Sequence, residues 1–185
     1  MKHPSSRAFF AYWDAKRGVA RAPDRSEIEP GPICKLLGDI FVLSYDSDAG
    51  FPFRVAGTRL CALRARDLKG ESFAGLFAAE SRSDVTEIVA VVAEELLVAV
   101  AGVTALTEFG EKTYLELLLL PFGTRAHAPI SLTGLLAPLG EVRGTLGPLS
   151  LTSFRYLAHP VEALRPRAIR RWQAARGLMV YEGLS

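Results

Sequence analysis

Apolar and polar positions recur with two different periods along this chain, and the switches between them mark its elements. Near the N-terminus the spacing is helical. Over about Ser6 to Gly18, Phe9, Trp13 and Lys16 share one face, with Phe10 and Ala8 adjacent. Ser5 or Ser6 is placed to cap this helix and Gly18 to end it. A polar linker, "ARAPDRSEIEPGP", carries at most a single turn, and "ICKLLGDI" is a short helical piece ended by Gly38. The period then becomes two. "DIFVLSYD" and "FPFRVAG" read as strands joined by the turn "DSDAG", which makes a β-hairpin.

Next the helical period returns in short pieces. Leu60 and Leu63 share a face; Asp67 and Ser72 are placed as caps, and Gly70 permits a positive φ. A third turn buries Phe73, Leu76 and Phe77. A long helix is predicted over about Ser83 to Val100, with Val85, Ile88, Val89, Val92 and Leu96 as its stripe and Gly102 as its stop. An alternating strand, "VTALTEF", follows; "GEKT" turns the chain and "YLELLLLPF" returns it, with Pro121 at its end. "ISLTGLLAPL" and "LSLTSFRYL" read as further strands. "RPRAIRRWQAAR" reads as helical after Pro166, and "GLMVYEGLS" as a short terminal strand. Strands at both ends of a helical middle predict an α+β fold with an antiparallel sheet of five or six strands. One long and several short helices cover one face, and an amphipathic helix precedes them.

Composition narrows the class. The chain has 185 residues, 49% hydrophobic and 23% charged, with a net charge of +2. That length predicts one domain able to bury roughly 70% of its unfolded surface. It divides into an N-terminal helical extension (1–37), a core (38–158) and a basic tail (159–185) of the same domain. The net charge is too small to imply a polyanionic partner for the whole chain. Cys34 and Cys61, the two cysteines, each lie within two residues of a leucine and read as small buried hydrophobes rather than a disulfide. The N-terminus lacks the apolar core and small-residue cleavage site of a secretory signal. The most apolar stretch, "VTEIVAVVAEELLVAVAGV", is interrupted by Glu87, Glu94 and Glu95 before reaching the roughly 18 residues of a membrane span. No membrane association is expected, and the expected location is the cytoplasm.

The stretch "FRVAGTRLCALRARDLKGESFAGLF" resembles the segment of PAS domains in which a strand ends in small residues. A helix there leads into a Leu-x-Gly-x-Ser-Phe turn, here Leu68, Gly70, Ser72 and Phe73. Further stretches, "AYWDAKRG", "LLLLP", "LTGLLAPL" and "MVYEG", resemble a subgroup of stand-alone bacterial PAS-like proteins of type 5, long catalogued as a domain of unknown function. The resemblance runs from about Ala11 to Gly183. It implies a sensory or signalling adaptor whose short helices close one wall of a cup.

The resemblance also implies which cofactors to look for. Flavin-binding relatives use a reactive cysteine in an Asn-Cys-Arg-type motif. Cys61 lies on a short helix near Arg59 and Arg64, but no asparagine precedes it. Haem-binding relatives use a histidine on the long helix, and this one has none. Flavin and haem are therefore not expected, and a small organic ligand is left open. If the cup holds one, its apolar lining comes from Val55, Leu60, Leu63, Phe73, Ile88, Val92, Leu117 and Leu119. Its polar contacts come from Arg54, Arg59 and Thr104. The plainer reading makes the apolar residues core and Arg59 a surface or ion-paired group.

No catalytic or metal motif is visible. His3, His127 and His159 are far apart in sequence and lack a neighbouring Cys, His or carboxylate motif. An enzyme is not expected. The main alternative is a small cup-shaped enzyme acting on a hydrophobic substrate, and a third reading is a ligand-free protein-interaction module. Phe9, Phe10 and Trp13 are the candidate anchors of a homodimer or partner interface, and any output needs an unidentified signalling partner protein. The tail's Arg165, Arg167, Arg170, Arg171 and Arg176 around Trp172 could contact phosphates. No nucleic-acid module surrounds them, so nucleic acid is not an expected partner.

Overall fold

The leucine run of "YLELLLLP" becomes a strand buried on both faces, and the layers of the fold follow from what covers each face. The computed structural model describes residues 1–123, 130–157, 169–175 and 178–183. Six strands form one antiparallel sheet: β1 (Ile40–Ser44), β2 (Phe53–Ala56), β3 (Val98–Leu106), β4 (Lys112–Pro121), β5 (Ser131–Pro138) and β6 (Ser150–Leu157). Their spatial order is β2-β1-β5-β4-β3-β6. β4 thus sits in the interior of the sheet, where a continuous apolar run is expected. The α+β architecture and the six-stranded alternative agree with the sequence pattern.

Side chains alternate across the sheet. Leu115, Leu117 and Leu119 point into a core closed by α2 (Thr58–Leu63), α3 (Ala79–Glu94) and the turns between them. Leu118 and Leu120 point to the other face, where α1 (Pro4–Arg17) covers them with Phe9 and Trp13. Burying those two aromatic side chains contributes about 1.5–3 kcal/mol each before ordering costs. The N-cap of α1 is His3 rather than Ser5 or Ser6: its Nδ1 accepts the Ser5 N–H at 3.1 Å.

Two boundaries differ from the sequence pattern. The long helix ends at Glu94, not Val100. Leu96 turns the chain with φ of 55°, and Val98 to Val100 already pair in β3. The apolar stretch was long enough for a helix, but its β-branched end has strands to pair with on both sides. Gly102 is accordingly not a helix stop. It lies in mid-strand, opposite Glu116 on β4 and Ser153 on β6. In the tail, the stretch expected to be helical is a strand, β7 (Ile169–Ala175), paired antiparallel with β8 (Leu178–Gly183). A partner strand only a few residues downstream makes the hairpin a local alternative to the helix.

Candidate functional site

The segment after β2 is broken into short pieces by specific contacts. A side chain at Gly57 would collide with the Gly38 carbonyl, so only glycine lets α2 start against the end of the preceding turn. Arg59 then reaches back: its Nε and one terminal nitrogen each lie 2.6 Å from Asp39, which is buried, and it also donates to the Lys35 carbonyl. The carboxylate keeps the guanidinium protonated to a higher pH than usual. Asp67 accepts the Lys69 N–H at 2.9 Å, and Ser72 Oγ accepts the Gly75 N–H at 2.9 Å. Each break is a capped turn.

The wall so formed closes a cup over the sheet. Leu60, Phe73, Ile88, Val92, Leu117 and Leu119 converge in one cluster, each 2% exposed or less, and Leu63 packs half-buried at its side. Phe41, Phe53, Phe73 and Phe77 stand ring to ring with centroids 5.3–5.7 Å apart. Gly134 makes this possible, since a Cβ there would run into the Phe41 ring. These side chains therefore present almost no surface to water, internal or external.

The remaining candidate cup residues lie elsewhere. β2 carries a bulge opposite Val42 and Leu43, so Phe53 and Ala56 face the cup while Val55 pairs with Val42 and is 51% exposed. One extra residue reverses the faces of all that follow. Arg54, at the bulge, is exposed, and Arg59 is engaged by Asp39. Thr104 is buried on the opposite face of the sheet, in line with Val98 and Val100.

That opposite face is organised around α1. Trp13 Nε1–H donates to the Pro121 carbonyl at 2.9 Å, and Phe10 stacks on Trp13 while staying half-buried. At the other end of the helix, Glu116 accepts the backbone N–H groups of Lys2 at 2.5 Å and His3 at 2.9 Å. Burial by itself would raise the Glu116 carboxyl, but these N–H groups outweigh it and hold it below its ordinary value. Ser6, fully buried beside this carboxylate, adds to the lowering. The sequence reading missed Glu116. Its signal was a lone acid inside a leucine run. Gly102, which the sequence reading placed at a helix end, faces a hollow of about 330 Å³ next to Glu116.

Among the described residues no group of three or more His, Cys, Asp and Glu is placed to hold a metal ion, and no helix is long and apolar enough to cross a membrane. His127 and His159 lie outside the described residues, as do Arg165, Arg167 and Arg176.

A family model described as a PAS domain matches residues 1–137. The chain belongs to the PAS domain family, whose members are sensory and signalling modules. No curated protein matches the sequence. Among solved structures, the chain is similar to the LOV protein of Rhodobacter sphaeroides, at 15% identity and TM-score 0.44, covering 55% of this chain and 59% of that one. It is also similar to a fungal LOV domain photoreceptor, at 14% identity and TM-score 0.48, covering 71% and 90%. The chain thus spans about three fifths of the Rhodobacter protein it resembles.

Proposed function

We propose that this protein is a non-enzymatic PAS signalling adaptor whose output passes through α1 and the outer face of the sheet. The observation that supports this most directly is the way α1 is held. It is fastened at its two ends by two separate polar clasps, Glu116 to the Lys2 and His3 N–H groups and Trp13 to Pro121, over a strip of apolar sheet. Such an element can exist in docked and released states, and anything that binds one state better shifts the balance. Phe9 and Trp13 are engaged with this chain's own sheet, which leaves Phe10 as the aromatic available to a second copy.

In this reading the cup is a packed core. The phenylalanine cluster occupies the space a ligand would need, and the buried polar side chains lie on the outer face, in ion pairs or at its margins. The residues present do not fit a flavin: Cys61 directs its Sγ toward the Ala56 carbonyl at 4.0 Å, and the interior beyond it is closed by aromatic rings. This apolar lining supports the adaptor reading over that of a cup-shaped enzyme.

The full chain measured by size-exclusion light scattering tests the output surface. A dimer that falls to a monomer on Phe10→Ser, with far-UV circular dichroism unchanged, is the expected result. A dimer indifferent to the substitution, or a wild-type monomer at every concentration, removes the homodimer from the proposal.

A further inference from the structure

The hollow on the outer face is a site of a different kind from the cup. It exists because Gly102 occupies the centre of β3 without a side chain, between Glu116 on one neighbour and Ser153 on the other. A Cβ at Gly102 would sit 2.9 Å from Thr152 Oγ1 and 3.0 Å from Ser153 Oγ, so both hydroxyls lean over the glycine. A bulge in the β3–β6 pairing between Gly102 and Val103 brings the two hydroxyls together. Neither hydroxyl is bonded to a protein group among the described residues. Tyr114 and Leu139, 56% and 42% exposed, form an apolar wall.

The charges around it are unequal. Arg155 pairs with Val100, which places it on this face, and it has no carboxylate partner among the described residues. Lys2 borders the hollow as well, and the Lys112 ammonium lies 5.5 Å from the Tyr114 ring centroid. The carboxylate in the lining, Glu116, is already satisfied by two backbone N–H groups. Two hydroxyls and a guanidinium without partners among the described residues, beside an aromatic wall, suit an anionic head on an apolar body. At about 330 Å³ the hollow is at the small end of ligand sites.

We infer that this outer-face hollow is a binding site for a small organic carboxylate, its head group on Arg155 and the Thr152 and Ser153 hydroxyls and its body against Tyr114 and Leu139. Met1 and Lys2 also line the hollow, so an occupant touches the segment that Glu116 clasps and favours docked α1. That coupling rests on the adaptor reading; the binding does not.

The test is a titration of the full, isotope-labelled chain with benzoate and hexanoate, followed by amide NMR shifts. Benzyl alcohol serves as the uncharged counterpart. Saturable shifts centred on the amides of Gly102, Tyr114 and Ser153 are expected, with benzyl alcohol weaker by about tenfold, the scale of one charge-assisted hydrogen bond. Arg155→Gln should weaken the carboxylates by a similar factor while leaving benzyl alcohol unchanged. Gly102→Ala should weaken all three, because its Cβ enters the hollow. Amide dispersion reports whether each variant is folded. Absence of binding by both carboxylates, equal binding to Arg155→Gln, or shifts centred on Phe41 and Phe73 would overturn the site. Binding that leaves α1 exchange unchanged would keep the site and refute only its coupling to the adaptor output.

Discussion

Glu116 stands where a leucine would continue the pattern of β4, and its environment decides what it contributes. A buried carboxylate without a cationic side chain beside it is tolerated when oriented N–H groups satisfy it. Because its folded pKa is lowered, its stabilisation is complete above the unfolded carboxylate value of about 4.3. It is lost as pH falls through the lower folded value. The N-terminal end of α1 should therefore stay fastened across the neutral range and loosen only in acid. Trp13 fluorescence in a Trp172→Phe background would follow this loosening as an acid transition. Glu116→Gln should abolish the pH dependence of that step and cost about 1.5–3 kcal/mol at neutral pH, the range for hydrogen bonds to charged groups. An unchanged acid transition in Glu116→Gln would assign the step to another carboxylate. Gly134 gives a second residue-scale expectation. Gly134→Ala drives a methyl into the Phe41 ring and the Leu118 carbonyl, so overpacking should cost about 1–3 kcal/mol in urea denaturation. A neutral result would mean the phenylalanine cluster has room to yield, and with it room for a ligand.

Among the elements, legibility followed how local the signal was. The capped turns between Gly57 and Phe77 were readable because a cap and a glycine specify a break within three or four residues. β1, β4 and β5 were readable as strands because each is a short apolar run bounded by Gly, Pro or Asp. The register of β2 was not readable, because its bulge depends on pairing with β1, and Val55 consequently left the cup. The end of α3 was not legible either. Valines and alanines satisfy helix and strand alike, and the choice is made by β4 and β6 on either side. Thr104 was misplaced for a related reason: which face of β3 meets the cup is fixed by its partners, not by its own sequence. The ion pair between Arg59 and Asp39 joins α2 to the start of β1 across 20 residues of sequence. Arg59 is half-exposed, so its contribution is modest, but the geometry is bidentate. Arg59→Lys should therefore lower stability by up to about 1 kcal/mol and raise exchange at the α2 amides, measured by hydrogen exchange. Equal exchange in the variant would show that Gly38 and Gly57 position α2 by packing alone.

At the scale of the whole molecule, the sheet separates two bodies of unequal strength. On one side the cup cluster joins five strands, two helices and the intervening turns through aromatic and aliphatic contacts. On the other, α1, a helix of 14 residues, lies over a strip of sheet beside the short helical piece that carries Ile33, held by Phe9, Trp13 and two polar clasps. Cooperative units in proteins open with different free energies, and elements that move in signalling come from the weaker end. An adaptor that works through α1 requires this order. Native-state hydrogen exchange in low denaturant measures it directly. The α1 amides should exchange through an opening that costs less than the global one reported by β4 and β5, and Glu116→Gln should lower the α1 opening while leaving the β4 value nearly unchanged. If α1 instead exchanges with the strands, helix and sheet form one unit. The outer face would then transmit nothing by release of α1, and a signal would have to travel through the sheet as a change of packing.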